Sequence, residues 1–228
     1  MPFLYVLDDD NYWTTISEFR KSLREIQIEQ LIFIDEVAIY STMVPQRTLV
    51  APGQQPLILV QQPSSYSKRF DFIGAINGSQ VITCGKITPE HRASLGVKGF
   101  RQKMINQWLT DTLAPSLNQL GTKNLYLICD KSSSHNRVAM MQALRAGKCY
   151  CVKEILHMPT ASAKYLSPLD NPLWHSFKET IRSKHPLILN DIPVLLSQTF
   201  YSLSTQQIKN AYRKCGYGYE IDPCYDRP

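Results

Sequence analysis

The chain has 228 residues, enough for one large domain or two small ones, and folding a chain of this size buries roughly 70% of the surface that the unfolded form exposes. Lysine and arginine number 25 against 19 aspartates and glutamates, a net charge of +6 that favours an anionic partner over a cationic one. No apolar run approaches the ~20 residues of a membrane helix. The short apolar start runs straight into Asp8, Asp9 and Asp10 without a basic flank, and the six cysteines lack the paired spacing of a zinc site, so the chain reads as a soluble intracellular protein with reduced thiols.

Residues 12–30 carry Trp13, Ile16, Phe19, Leu23 and Ile26 at three- and four-residue steps, which predicts an amphipathic lead-in helix. A strand over 31–39 follows, then a long loop rich in proline, glutamine and serine over 45–67. The β-rich runs 68–77 and 80–87 are joined through Asn77-Gly78, a strong hairpin signal. After a loop containing Gly96 and Gly99, residues 100–120 show helical spacing that Pro115 should kink or end. A strand at 124–130, a helix over 135–146 closed by Gly147, and a half-buried strand at 149–155 come next. Residues 159–168 read as a loop. The helix predicted over 172–184 sets Trp174, Phe177 and Ile181 on an apolar side against His175, Lys178, Arg182 and His185 on a basic one. Two short helices, 190–203 and 204–215, and an irregular aromatic tail complete the chain.

Two of the apolar runs end abruptly in acid, Leu31-Ile32-Phe33-Ile34-Asp35-Glu36 and Leu125-Tyr126-Leu127-Ile128-Cys129-Asp130, and a third acid lies in Ser167-Pro168-Leu169-Asp170-Asn171-Pro172. Open α/β sheets place their chemistry at the carboxyl ends of such buried strands. Taken singly, each acid reads more readily as a cap or surface turn residue at a strand end than as a catalytic group. Taken together, three converging carboxylates repel one another unless divalent metal neutralises them. Glu36, next to Asp35 in a strand, should face the opposite side as a salt-bridge or hydrogen-bond partner. The order of elements, strand, hairpin, helix, strand, helix, strand, helices, is that of an α/β ribonuclease-H-like fold, a mixed five-stranded sheet flanked by helices. In that arrangement the first and fourth strands are parallel neighbours.

At these residues the chain resembles the catalytic domain of a mariner-type DNA transposase, over about 31–217. Phe33-Ile34-Asp35-Glu36 is similar to the first acidic motif of the family. Asp130 followed by His135 keeps the family's spacing of second acid and histidine, and Ser167 through Trp174 resembles the Ser-Pro-x-x-Asn-Pro segment beside the last acid. Residues 207–217 resemble its closing helix. The chain departs from the pattern in two places: Lys131 stands for the usual asparagine, and Asp170 precedes Asn171-Pro172 where most relatives place their acid after the proline. Thirty-nine residues separate Asp130 from Asp170, which suits the aspartate-ending branches. The family also carries an amino-terminal helix-turn-helix pair, which the 30 residues before the first strand cannot hold.

The resemblance implies a nuclear enzyme that hydrolyses and rejoins double-stranded DNA in cut-and-paste transposition and works as a homodimer. Asp35, Asp130 and Asp170 would hold two Mg²⁺ or Mn²⁺ ions. Lys178 and Arg182, one helical turn apart, and His135 are the expected DNA contacts, and Lys98, Arg101 and Lys103 form a second basic cluster. A solvated helix face accounts for the basic residues equally well, and Trp174 and Phe177 are assigned to the core. Two other readings remain open: a domesticated or decayed relative that binds DNA or protein without catalysis, and a nuclease on the same fold that hydrolyses but never joins strands.

Overall fold

The computed structural model describes residues 9–43, 52–53, 55, 67–184 and 187–218. Most of the predicted 45–67 loop, His185 and nearly all of the tail lie outside them. Helix α1 (Asp9–Leu23) leads through a single 3₁₀ turn (Ile28–Gln30) into β1 (Leu31–Tyr40). Strands β2 (Arg69–Ile76) and β3 (Val81–Ile87) form the expected hairpin. Its turn is fixed by the Asn77 carboxamide oxygen, which accepts from the backbone N–H of Ser79 and Gln80 at 3.0 and 2.9 Å. Helix α2 (Pro89–Leu95) was not foreseen. It buries none of its residues and therefore has no apolar stripe, although Thr88 caps it and Pro89 opens it.

Helices α3 (Gln102–Trp108) and α4 (Ala114–Leu120) are joined through a π-helical turn over Leu109–Leu113. Pro115 therefore falls in the first turn of α4, where its missing N–H costs little. Strand β4 (Leu125–Cys129) ends one residue before Asp130, and α5 (Arg137–Ala146) starts at an Asn136 cap, one residue later than His135. Strand β5 (Val152–His157) also begins later than predicted. The predicted 159–168 loop contains one short helix, α6 (Ala163–Leu166), and a kinked turn (Leu169–Leu173), in which Asn171 has extended rather than helical backbone angles, delivers the chain to α7 (Trp174–Ser183). Helices α8 (Ile192–Tyr201) and α9 (Thr205–Lys214) follow, the latter opened by a Ser204–Gln207 capping box.

The sheet order is β3-β2-β1-β4-β5, with β1 antiparallel to β2 and parallel to β4. This is the mixed five-stranded, ribonuclease-H-like arrangement expected from the order of elements. Alternation along β1 splits the core into two layers. Leu31, Phe33 and Val37 pack with α1, α7, α8 and α9, whereas Ile32 and Ile34 pack with α3, α4 and α5. Tyr212, fully buried on α9, donates its hydroxyl to the carbonyls of Leu31 and Ile76 at 2.8 and 3.3 Å and so ties that helix to the sheet. Among the described residues, no helix is long and apolar enough to cross a membrane, and Cys84, Cys129, Cys149, Cys151 and Cys215 are free thiols.

Candidate active site

Phe33 on β1 lies opposite Ile128 on β4 at the last rung of that ladder, and Asp35 and Asp130 each lie two residues beyond it. Neighbouring strands are about 4.8 Å apart, within reach of two short carboxylate side chains. Asp35 faces the layer of α7, and Glu36 faces the layer of α5. Asp170 arrives from outside the sheet, on the kinked turn before α7. That turn is pinned by Ser167, whose hydroxyl accepts from Asp170 N at 3.2 Å, and by the Asn171 side chain, which donates to the Lys164 carbonyl at 2.9 Å. Asp170 is exposed at its rim, yet its carboxyl interacts electrostatically with those of Asp35 and Asp130.

Two half-sites result. In the first, burial raises Asp35 well above the usual carboxylate range, the charges of Asp170 and Glu36 raise it further, and the Trp174 indole N–H, donating to Oδ2 at 2.7 Å, only partly offsets them. Burial raises Asp170 as well; the interaction with Asp35 and the Lys178 ammonium pull it down, while Asp130 pushes it up. Once ionised, each of two carboxyls in this position disfavours the ionisation of the other. A divalent cation relieves the same repulsion, and an all-oxygen donor set suits a hard ion such as Mg²⁺ or Mn²⁺. The residues present therefore fit such an ion.

In the second half-site, His135 is 2% exposed and lies between two acids. Its Nδ1 is 2.5 Å from Asp130 Oδ1, and its Nε2 is 3.2 Å from Glu36 Oε1. Burial is the largest influence on this imidazole and opposes its charge, but the hydrogen bonds and negative charge of Asp130 and Glu36 outweigh it and lift its pKa to about 10. The hydrogen bond from His135 in turn holds Asp130 below the ordinary carboxylate range. Glu36, Asp130 and His135 place ligand-type atoms within 4.8 Å of one another. Both ring nitrogens are already engaged, however, so the imidazolium occupies the position a cation would take there. Asp130 keeps 44% of its side chain exposed, and its charge acts on Asp170.

The predicted DNA contacts separate. Lys178 stands beside Asp170, whereas Arg182 on the same helix is paired with Glu179. His135 is turned inward; an imidazole so enclosed serves the acid beside it, not a phosphate. Lys98, Arg101 and Lys103 are exposed around the start of α3. Trp174 and Phe177 are core residues, 4% and 1% exposed. Trp174 has a further part in the site as the donor to Asp35, which apolar spacing could not reveal. Gly74, opposite Asp35 in the β1–β2 ladder, makes room for it: a Cβ there would lie 2.4 Å from Phe200 and 3.0 Å from Trp174.

A strand-end cluster of acids on this sheet defines a class of nucleic-acid-cutting protein. Residues 98–214, just over half of the chain, match the family described as DDE superfamily endonuclease, and the chain belongs to that family. No curated protein matches it. Among solved structures it is similar to the Mos1 transposase paired-end complex with left transposon end, with 17% identity and a TM-score of 0.70 over 95% of this chain and 62% of that one. It is also similar to the catalytic domain of Mos1 mariner transposase, with 16% identity and a TM-score of 0.62 over 90% of this chain and 87% of that one. A third match is the Mos1 transposase catalytic domain with Raltegravir and Mn, with 15% identity and a TM-score of 0.64 over 95% of this chain and 92% of that one. The chain thus spans 62% of the length of the transposase chain in the paired-end complex, and at these identities the likeness establishes a shared fold.

Proposed function

We propose that the chain is the catalytic domain of a cut-and-paste DNA transposase, one that hydrolyses phosphodiester bonds and transfers strands at Asp35, Asp130 and Asp170. What supports this reading is the electrostatic coupling of Asp35 with Asp170 and of Asp170 with Asp130, in a chain of the DDE endonuclease family. Two Mg²⁺ or Mn²⁺ ions held by these aspartates would activate a water or a DNA 3′-hydroxyl and stabilise the leaving oxygen. The protein side of the work follows from its own groups. Asp35 and Asp170 would hold the cation, Trp174 fixes the orientation of Asp35 through Oδ2, and His135 favours the ionised form of Asp130. Lys178 stands where it can hold a phosphate beside the acids, and no residue needs to form a covalent intermediate with DNA. The substrate is double-stranded DNA, coordinated cutting at two transposon ends calls for a homodimer, and the nucleus is the compartment where both requirements are met.

Incubation with Mn²⁺ and pre-cut or nicked DNA, next to an Asp130→Ala variant, tests this. Strand-transfer products from the wild type alone are expected. Hydrolysis without joining would assign a nuclease instead, and no metal-dependent product on any substrate would overturn the catalytic reading.

A further inference from the structure

The β1–β4 ladder runs from Leu31↔Tyr126 to Phe33↔Ile128 and no further, so Asp35 and Asp130 both lie beyond its last rung. β1 is held firmly past that point on its other side, since its pairing with β2 continues to Tyr40↔Arg69. The segment carrying Asp130 has left the sheet: the last backbone bond there is Met158 N–H to the Cys129 carbonyl, 2.9 Å. Backbone pairing therefore fixes Asp35 but leaves its distance from Asp130 unset.

A side-chain bridge spans that gap. Glu36 reaches from the opposite face of β1 to His135 Nε2 at 3.2 Å, and His135 Nδ1 gathers Asp130 Oδ1 at 2.5 Å, the Asp130 carbonyl at 3.2 Å and the Ser132 hydroxyl at 3.1 Å. The imidazole is 1% exposed and has little room to take another rotamer. Asp35 and Glu36 are consecutive in the strand, so whatever anchors Glu36 is referenced to the same backbone that carries Asp35.

We infer that Glu36 is a positioning residue which, acting through His135, sets the spacing between the Asp35 and Asp130 carboxylates and thereby the affinity of the site for divalent cations. The inference rests on the reading of Asp35, Asp130 and Asp170 as the cation site. Glu36 itself touches neither cation nor DNA; its part is to hold a neighbour, and loss of such supporting partners typically weakens metal affinity by about 10- to 100-fold.

Mn²⁺ and Mg²⁺ binding to the full chain, without DNA, is measured by calorimetry for the wild type, Asp130→Ala, Glu36→Ala, Glu36→Gln and Glu36→Asp. Thermal unfolding in chelator confirms that each is folded. Glutamine keeps the reach and the acceptor oxygen but loses the charge; aspartate keeps the charge but falls short of His135. The expected result is cation affinity lowered about 10- to 100-fold in Glu36→Ala and Glu36→Asp, and largely kept in Glu36→Gln. If Glu36→Asp binds like the wild type while Glu36→Gln loses affinity, Glu36 acts by charge alone and the inference fails. Should all three Glu36 variants match the wild type while Asp130→Ala is weakened, the bridge is irrelevant and the cation site stands. Absence of binding by the wild type, or unchanged binding by Asp130→Ala, would instead remove the cation site itself and the inference with it.

Discussion

Replacing His135 by glutamine should change not only how stable the metal-free protein is but how its stability depends on pH. The imidazole titrates at 6.5 when unhindered and at about 10 in the fold. A group whose pKa is raised by folding contributes its full stability below the unfolded value and loses it as pH climbs through the folded one. The shift of about 3.5 units, at about 1.36 kcal/mol each, sets an upper bound on the order of 5 kcal/mol, and the 1% exposure of the ring leaves little solvent screening to reduce it. The bound is comparable to the lower end of total domain stability, about 5 kcal/mol. Urea unfolding in chelator at about pH 6 and about pH 10.5, for wild type and His135→Gln, reads this directly. The wild-type advantage should be several kcal/mol at the lower pH and shrink sharply at the higher; taking the difference cancels the tyrosines, lysines and thiols that titrate nearby. A constant difference across that range would refute the bridged imidazolium.

Asp35→Asn should stabilise the cation-free protein at neutral pH, because the folded pKa of Asp35 is raised and its ionisation, which begins near 3.8 in the unfolded chain, opposes folding as pH rises. Thermal melts in chelator check this, and added Mn²⁺ should raise the wild-type midpoint but not that of the variant. Tyr212→Phe leaves the Leu31 and Ile76 carbonyls without their hydroxyl donor and should cost about 1–2 kcal/mol in urea unfolding. Gly74→Ala forces a methyl against Phe200 and Trp174 and should cost about 1–3 kcal/mol, with weaker Mn²⁺ binding because the Trp174 donor is displaced. Burial raises the Cys151 thiol to about 12, with the Cys149 thiol beside it at 3.1 Å, so alkylation of Cys151 followed by mass spectrometry should stay slow at neutral pH and accelerate as pH rises toward that value.

The strands and the pairing of the first with the fourth were legible because burial on both faces writes a continuous apolar run, as in Leu31–Ile34 and Leu125–Cys129, and because Asn77-Gly78 permits a tight hairpin. Helix α2 was hidden because it contributes nothing to the core. The π-helical turn at Leu109–Leu113 was hidden for another reason: it shifts periodicity by a single residue inside a helical run. Spacing placed Asp35 and Asp130 side by side through strand register, and it placed Glu36 on the far face. It could not show that His135 lies buried between two acids, or that Trp174 spends its N–H on Asp35 across 139 residues of chain, since an apolar pattern names the face a residue takes and says nothing of its polar tip.

The Trp174 ring packs 5.6 Å from Phe200, 5.5 Å from Phe177 and 6.0 Å from Phe72. An indole wedged among three phenyl groups moves only when its neighbours do, so one oxygen of Asp35 is moored to the greasiest part of the molecule. Trimming Phe200, a fully buried ring that is no part of the acid cluster, should therefore loosen one of its carboxylates.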